Sequence, residues 1–244
     1  MNTQFKVTLV AAALAAIASS PVFADGHGGP GGPGGHPGPA PVTASASAVD
    51  LQGIMFNNVS NYGLPNTATL NGDTASGASG NIGVNISAGD TNVQDNAAAL
   101  ASVDSSFVFG SSSSSVGVGQ MNAGNQTQNF DVQNKARIGE NAFSSASGNI
   151  GVNVAAGTGN GQKNTMAASV TSLGNVSASI LSAQASGGNM IRNEGCRLEN
   201  TASIGGSAFS GASGNIGVNI TSGTGNLQSN SLSMAVSCTG CTGK

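Results

Sequence analysis

Apolar and polar residues alternate over Ile82, Val84 and Ile86, with Asn81, Gly83 and Asn85 between them. The same alternation returns at Ile150, Val152 and Val154, and at Ile216, Val218 and Ile220. A period of two with β-branched residues predicts a strand at each place. Gly-Thr-Gly-Asn at 157–160 and 223–226 predicts a turn just after it. A weaker alternation follows, in which Met166, Ala168 and Val170 match Leu232, Met234 and Val236. A short earlier strand is expected over Ala136–Ile138 and its equivalents.

These strands belong to a repeat. The octapeptide ASGNIGVN stands at 78–85, 146–153 and 212–219, so the copies lie 68 and 66 residues apart. Upstream, Asn66, Ala68 and Leu70 match Asn134, Ala136 and Ile138, then Asn200, Ala202 and Ile204. Downstream, Gly89, Asn92, Gln94 and Asn96 match Gly157, Asn160, Gln162 and Asn164, then Gly223, Asn226, Gln228 and Asn230. The alignment needs no gaps and defines repeats at 66–102, 134–170 and 200–236. Segments 103–133 and 171–199 resemble each other poorly and read as irregular linkers. Residues 237–244 form a short tail.

A unit of three or four short strands is too thin to fold alone. Three units stacked in register give an all-β, three-rung β-solenoid with strands about 4.8 Å apart along the stack. Equivalent side chains then stand above one another. Ile82/Ile150/Ile216 and Val84/Val152/Val218 would make apolar ladders. Asn81/Asn149/Asn215, Asn85/Asn153/Asn219 and Gln94/Gln162/Gln228 would make amide ladders, each side chain bonded to the next. Charges agree with stacking. Asp95 aligns with Lys163 and Ser229, Lys135 with Thr67 and Thr201, and Arg137 with Thr69 and Ser203. No aligned position carries the same sign twice, which a stack requires because like charges in register repel. No capping helix is predicted before 66 or after 236. Both sheet edges are therefore open, and a head-to-tail contact that does not close makes a filament.

Composition narrows the reading. Charged residues are 7% of the 244, against roughly 25% in ordinary globular chains. Aromatics are 4%, and Trp is absent. Few side chains are large enough for a conventional core, and the net charge of −3 offers nothing to nucleic acid. Lys6, the apolar run 7–18 and the small residues before Asp25 describe a signal peptide at 1–24. Residues 25–65 begin with DGHGGPGGPGGHPGPAP at 25–41 and read as a flexible, disordered N-terminal region holding both histidines, His27 and His36.

No catalytic constellation appears, because no histidine lies in an ordered element. Gly157–Gly161 has neither the following helix nor the lysine of a phosphate loop. A calcium repeat would need a recurrent aspartate, but Asp90 is replaced by Thr158 and Thr224. Neither a cofactor nor a metal is expected. Cys238 and Cys241 form a CxxC that suits a local disulfide or a redox handle. With Cys196 they are still too few for a closed zinc site.

A leader, three repeats built on SGASGNIGVN-type sequence with GTGN-x-Q-x-N, two divergent linkers and a terminal CxxC resemble the Fap functional-amyloid subunits of bacterial biofilms. The resemblance covers about 66–241. It implies secretion through the periplasm and a dedicated outer-membrane pore, with a periplasmic chaperone. It also implies extracellular cross-β fibrils of Greek-key-like layers, with self and a homologous minor or nucleating subunit as partners. Fibrils of this kind support the biofilm matrix and surface adhesion, and the linker lengths suit the major subunit. The alternative is a secreted β-solenoid that does not polymerise, such as an adhesin or a polysaccharide-binding protein.

Overall fold

The computed structural model describes residues 43–103, 110–172 and 174–237. The expected signal peptide at 1–24, both histidines, Cys238 and Cys241 lie outside the described residues. Rung 1 contains β1 (Thr43–Met55), β2 (Asn58–Tyr62), β3 (Pro65–Leu70), β4 (Ser79–Ala88) and β5 (Val93–Val103). Rung 2 repeats the series as β6 (Gly110–Ala123), β7 (Gln126–Phe130), β8 (Gln133–Ile138), β9 (Ser147–Thr158) and β10 (Gly161–Thr171). Rung 3 follows as β11 (Gly174–Gly187), β12 (Met190–Glu194), β13 (Glu199–Ile204), β14 (Ser213–Thr224) and β15 (Leu227–Ser237). Each strand pairs in parallel with its equivalent in the next rung, giving five three-stranded sheets with rung 2 in the centre. The chain is an all-β, three-rung solenoid.

Within a rung, β1 packs on β5, β5 on β4, and β4 on β3. The first strand thus returns beside the last of three consecutive ones, which is a Greek-key order. Side chains join these layers, and backbone hydrogen bonds join the rungs. The β3 and β4 sheets enclose an apolar cluster that includes Leu70, Ile138, Ile150, Val152 and Val154. Phe143 and Phe209 cap it, stacked 5.0 Å apart in successive turns. A second cluster, of Ala99, Val116, Val118 and Ala167, lies between the β1 and β5 sheets. Small residues suffice because each layer faces a neighbour one sheet away.

Two expectations change. Segments 103–133 and 171–199, read as irregular linkers, carry β6 and β7 and then β11 and β12. The region 25–65, read as flexible, carries β1 and β2. The reason is a change of register. Residues pair at a spacing of 68 from rung 1 to rung 2 throughout, as in Thr43↔Ser111 and Val103↔Thr171. From rung 2 to rung 3 the spacing is 64 in the β6 and β7 sheets, as in Ser111↔Asn175 and Gln126↔Met190, and 66 from β8 onward. The connection at 172–173 is shorter than that at 104–109, and Gly195–Leu198 is longer than Asp131–Val132. A gapless comparison hides the kinship of these segments.

Glycine closes the rungs where the octapeptide strand begins and ends. Gly148 has φ +111°, and a Cβ there would lie 2.3 Å from the carbonyl oxygen of Gly80. Gly157 has φ +113°, and its Cβ would lie 2.0 Å from that of Gly223. Neither position admits another residue without moving a backbone.

Burial differs between rungs, and so should mutational cost. Ile150 is fully buried, whereas Ile82 and Ile216 are half-buried. Ile150→Ala should cost about 2–5 kcal/mol, and Ile82→Ala or Ile216→Ala distinctly less. Denaturant unfolding of the soluble chain measures the ranking.

Candidate functional site

The octapeptide strand sends its two faces into different media. Ile82, Val84 and Ile86, with their equivalents, pack against the β3-side apolar cluster. Asn85, Asn153 and Asn219 point the other way and meet Asn96 and Asn164 from the β5 sheet. Gly83, Gly151 and Gly217 stand opposite these amides. A Cβ at Gly151 would lie 2.6 Å from Asn96 Oδ1, and one at Gly217 2.7 Å from Asn164 Oδ1. Glycine therefore brings the amide layer close to the strand.

Within this layer the amides bond rung to rung. Asn149 donates to Asn81 at 2.7 Å and Asn215 to Asn149 at 2.7 Å. Asn153 donates to Asn85 at 2.8 Å and Asn219 to Asn153 at 2.9 Å. Gln94 donates to Gln162 at 2.7 Å and Gln162 to Gln228 at 2.9 Å. Ile82, Ile150 and Ile216 are in register, as are Val84, Val152 and Val218. Asn153 and Gln162 are 0% exposed, so their amides depend on one another and on nearby carbonyls.

More ladders exist than the octapeptide shows. Asn66/Asn134/Asn200, Asn92/Asn160/Asn226 and Asn96/Asn164/Asn230 each carry two successive amide bonds. So do Gln52/Gln120/Gln184, Asn57/Asn125/Asn189 and Asn61/Asn129/Asn193. Sequence reasoning missed the last three, although a Gln-x4-Asn-x3-Asn spacing recurs at 52, 120 and 184.

The ladders have direction. Those of Asn57, Asn61, Asn66 and Gln94 donate from rung 1 toward rung 3. Those ending at Gln52, Asn81, Asn85, Asn92 and Asn96 donate from rung 3 toward rung 1. In every ladder the second bond runs the same way as the first. Each ladder thus has a donor end at one face and an acceptor end at the other, though Gln52, Asn92, Asn96 and Asn189 turn their terminal amide N–H groups to acceptors within the chain.

A groove of about 250 Å³ crosses all three rungs between the β4 and β5 sheets. Asn81, Asn149 and Asn215 line one side, and Met166 and Leu232 the other; none of its lining residues is titratable. Among the described residues no cluster of His, Cys, Asp and Glu could hold a metal. Cys196 is exposed, in the lengthened connection after β12.

One column between the β1 and β5 sheets holds charge. Asp95 in rung 1 stands in register with Lys163 in rung 2 and Ser229 in rung 3. Lys163 is 1% exposed and donates to the carbonyl oxygens of Val118 at 3.3 Å and Ala183 at 2.7 Å. Burial lowers its pKa from 10.5 to about 8, opposed by the charge of Asp95. Asp95 Oδ2 is buried without a hydrogen-bond partner. Burial first, then the neighbouring Asp50 carboxylate, raises its pKa from 3.8 to about 7, with Lys163 acting in the opposite direction.

The sign follows from proton uptake. Between pH 4 and 7 the folded chain holds a proton on Asp95 that the unfolded chain has released. Stability contributed at this site is present at low pH and lost as pH rises through about 7. Asp95→Asn should flatten that decline and stabilise the chain at pH 8, as read from denaturant midpoints at several pH values.

Residues 45–237 match the family model described as "Functional amyloid protein FapB/FapC family". The chain is 42% identical over 198 residues to the functional amyloid subunit FapC of Pseudomonas aeruginosa, covering 79% of this chain and 56% of that protein. It thus spans little more than half the length of that curated relative. No solved structure matches. On the family match, which takes in all three rungs, the chain belongs to the FapB/FapC family of functional amyloid proteins.

Proposed function

We propose that this chain is a secreted structural subunit that polymerises head to tail into extracellular amyloid fibrils, rung 3 of one copy resting on rung 1 of the next. The observation that carries the reading is the complementarity of the two end faces. Each amide ladder runs one way through the stack, so a copy added in the same orientation can continue it, with terminal N–H groups such as those of Gln52, Asn92 and Asn96 turning from their partners within the chain. Two like faces meet through a two-fold axis, which sets each column against a different one and continues no ladder in register. The sheet edges add unpaired backbone groups in a parallel row.

Charge favours the same joint. Carrying the register across it sets Arg192 over Ser60, Glu194 over Tyr62 and Glu199 over Pro65. It also sets Ser182 over Asp50 and Ser229 over Asp95. None of these pairs opposes like charges. Pro65 has no N–H, so the joint lacks the backbone bond that Gln133 N–H makes to Leu64 O and Glu199 N–H to Val132 O within the chain.

The wider role rests on the family and on the leader-like residues 1–24. In this reading the subunit crosses the periplasm with a chaperone and leaves through an outer-membrane pore. A homologous minor subunit nucleates the fibre, which supports the biofilm matrix and adhesion. Neither a cofactor nor catalysis is involved.

Fibres of the purified chain should give a meridional reflection near ~4.8 Å. Monomers that stay soluble for days without it would leave a non-polymerising adhesin or polysaccharide-binding protein. Replacing Asn81, Asn149 and Asn215 together with Asp should slow fibrillation severalfold at neutral pH, since carboxylates in register repel. An unchanged rate in a dye-binding time course would remove that ladder from the assembly.

A further inference from the structure

The Asp50–Asp95 pair is unusual for its position. It lies in rung 1, on the column where rung 2 has Val118 and Lys163 and rung 3 has Ser182 and Ser229. One carboxylate oxygen, Asp95 Oδ2, is buried with no N–H or hydroxyl donor; a proton shared with Asp50 satisfies it below about pH 7, and the ionised pair is left unsatisfied. Lys163 does not supply the bond, since its ammonium is held by the Val118 and Ala183 carbonyls on the side toward rung 3. Asp50 accepts from Gln52 Nε2 at 3.1 Å. At the other end of the column the Ser182 and Ser229 hydroxyl oxygens lie 3.5 Å apart and exposed.

We infer that the Ser182–Ser229 hydroxyl pair on the rung 3 face is the docking partner of the Asp50–Asp95 carboxylate pair on the rung 1 face of a second copy, and that this contact fixes the register in which copies add. The inference rests on head-to-tail polymerisation. Hydroxyls suit the position because each can turn its proton toward a carboxylate and carries no charge of its own. Two rung 1 faces brought together would leave both carboxylate pairs without the hydroxyls. Two rung 3 faces would leave the carboxylate pair unused. The column thus selects one of three possible joints, and a one-residue slip would remove both serines from the interface.

The groups facing Asp95 are few. β1 brings Asp50 and β10 brings Lys163, while Val118 of β6, in register with Asp50, does not titrate. The docking copy adds no titratable group on this column. A carboxylate pair entering a dry joint is easier to bury when it holds a proton. Addition should therefore quicken as pH falls through about 7, the value to which burial and Asp50 raise Asp95.

Seeded elongation of the full chain tests the joint, with denaturant unfolding of each soluble variant as the control. Ser229→Asp places a third carboxylate against the pair across the joint, while Lys163 lies beside it within its own chain. It should slow elongation at pH 8 by about tenfold or more. Adding Asp95→Asn to that variant should restore most of the rate, and Asp95→Asn alone should lose most of the rise in rate as pH falls from 7 to 6, below the value of about 8 to which burial lowers Lys163. Should Ser229→Asp unfold the monomer, Ser229→Thr must match the wild type and Ser229→Ala must be slower. Wild-type fibres that elongate equally at pH 6 and 8, or no rescue of Ser229→Asp by Asp95→Asn at unchanged monomer stability, would overturn the contact. A wild-type chain that makes no fibres would instead overturn polymerisation itself.

Discussion

Every level of this molecule depends on one constraint: a side chain must be the hydrogen-bonding or packing partner of its own equivalent one rung away. Parallel strands in register leave about 4.8 Å between equivalents. Asparagine and glutamine meet the constraint because one amide carries both a donor and an acceptor. Isoleucine and valine meet it by stacking. A charged residue fails, because its equivalent repels it. The low charge and abundant Asn of the chain follow from this rule.

The same rule makes the middle rung unlike the ends. Rung 2 has a neighbour on both sides, so Ile150, Asn153 and Gln162 are fully buried. Rungs 1 and 3 have one neighbour each, and their outer sheet edges are uncovered. The ends of an ordinary solenoid are blunted by dissimilar caps. Here the described residues hold three rungs of like construction, and the terminal pair differ mainly in which partner of each amide bond they expose. That difference gives the stack a direction, and direction separates an orderly fibre from indiscriminate edge-to-edge aggregation.

What could be read from the sequence tracked how strongly a segment repeats. The octapeptide strand declared itself through identity, alternation and the glycines that flank it. The β1, β6 and β11 strands did not. Ser111–Ser115 and the Val-Gly alternation of 116–119 have little amphipathic contrast, because small residues serve on a layer packed against Ala99 and Ala167. Their kinship was also offset by a shortened connection at 172–173 and a lengthened one at 195–198. The Gln-x4-Asn-x3-Asn spacing survives both changes, because it lies between them. Glutamine and asparagine at a fixed mutual spacing were thus a better marker of the rung than overall similarity. The charged column was half legible: the alignment of Asp95, Lys163 and Ser229 stood in the sequence, but Asp50 joins them only through the packing of β1 on β5.

That column also explains why strict repetition is broken where it is. Only the two end faces can take another copy, since rung 2 is paired on both sides. The joints that remain are rung 3 on rung 1, rung 1 on rung 1 and rung 3 on rung 3, and identical rungs would distinguish them by ladder direction alone. The β1–β5 column reads acid pair, valine with lysine, serine pair, so the two end faces differ in charge as well. A chain this poor in charge can place such markers without loading its ladders with repulsion, because each appears once per copy and recurs only about 14 Å along the axis.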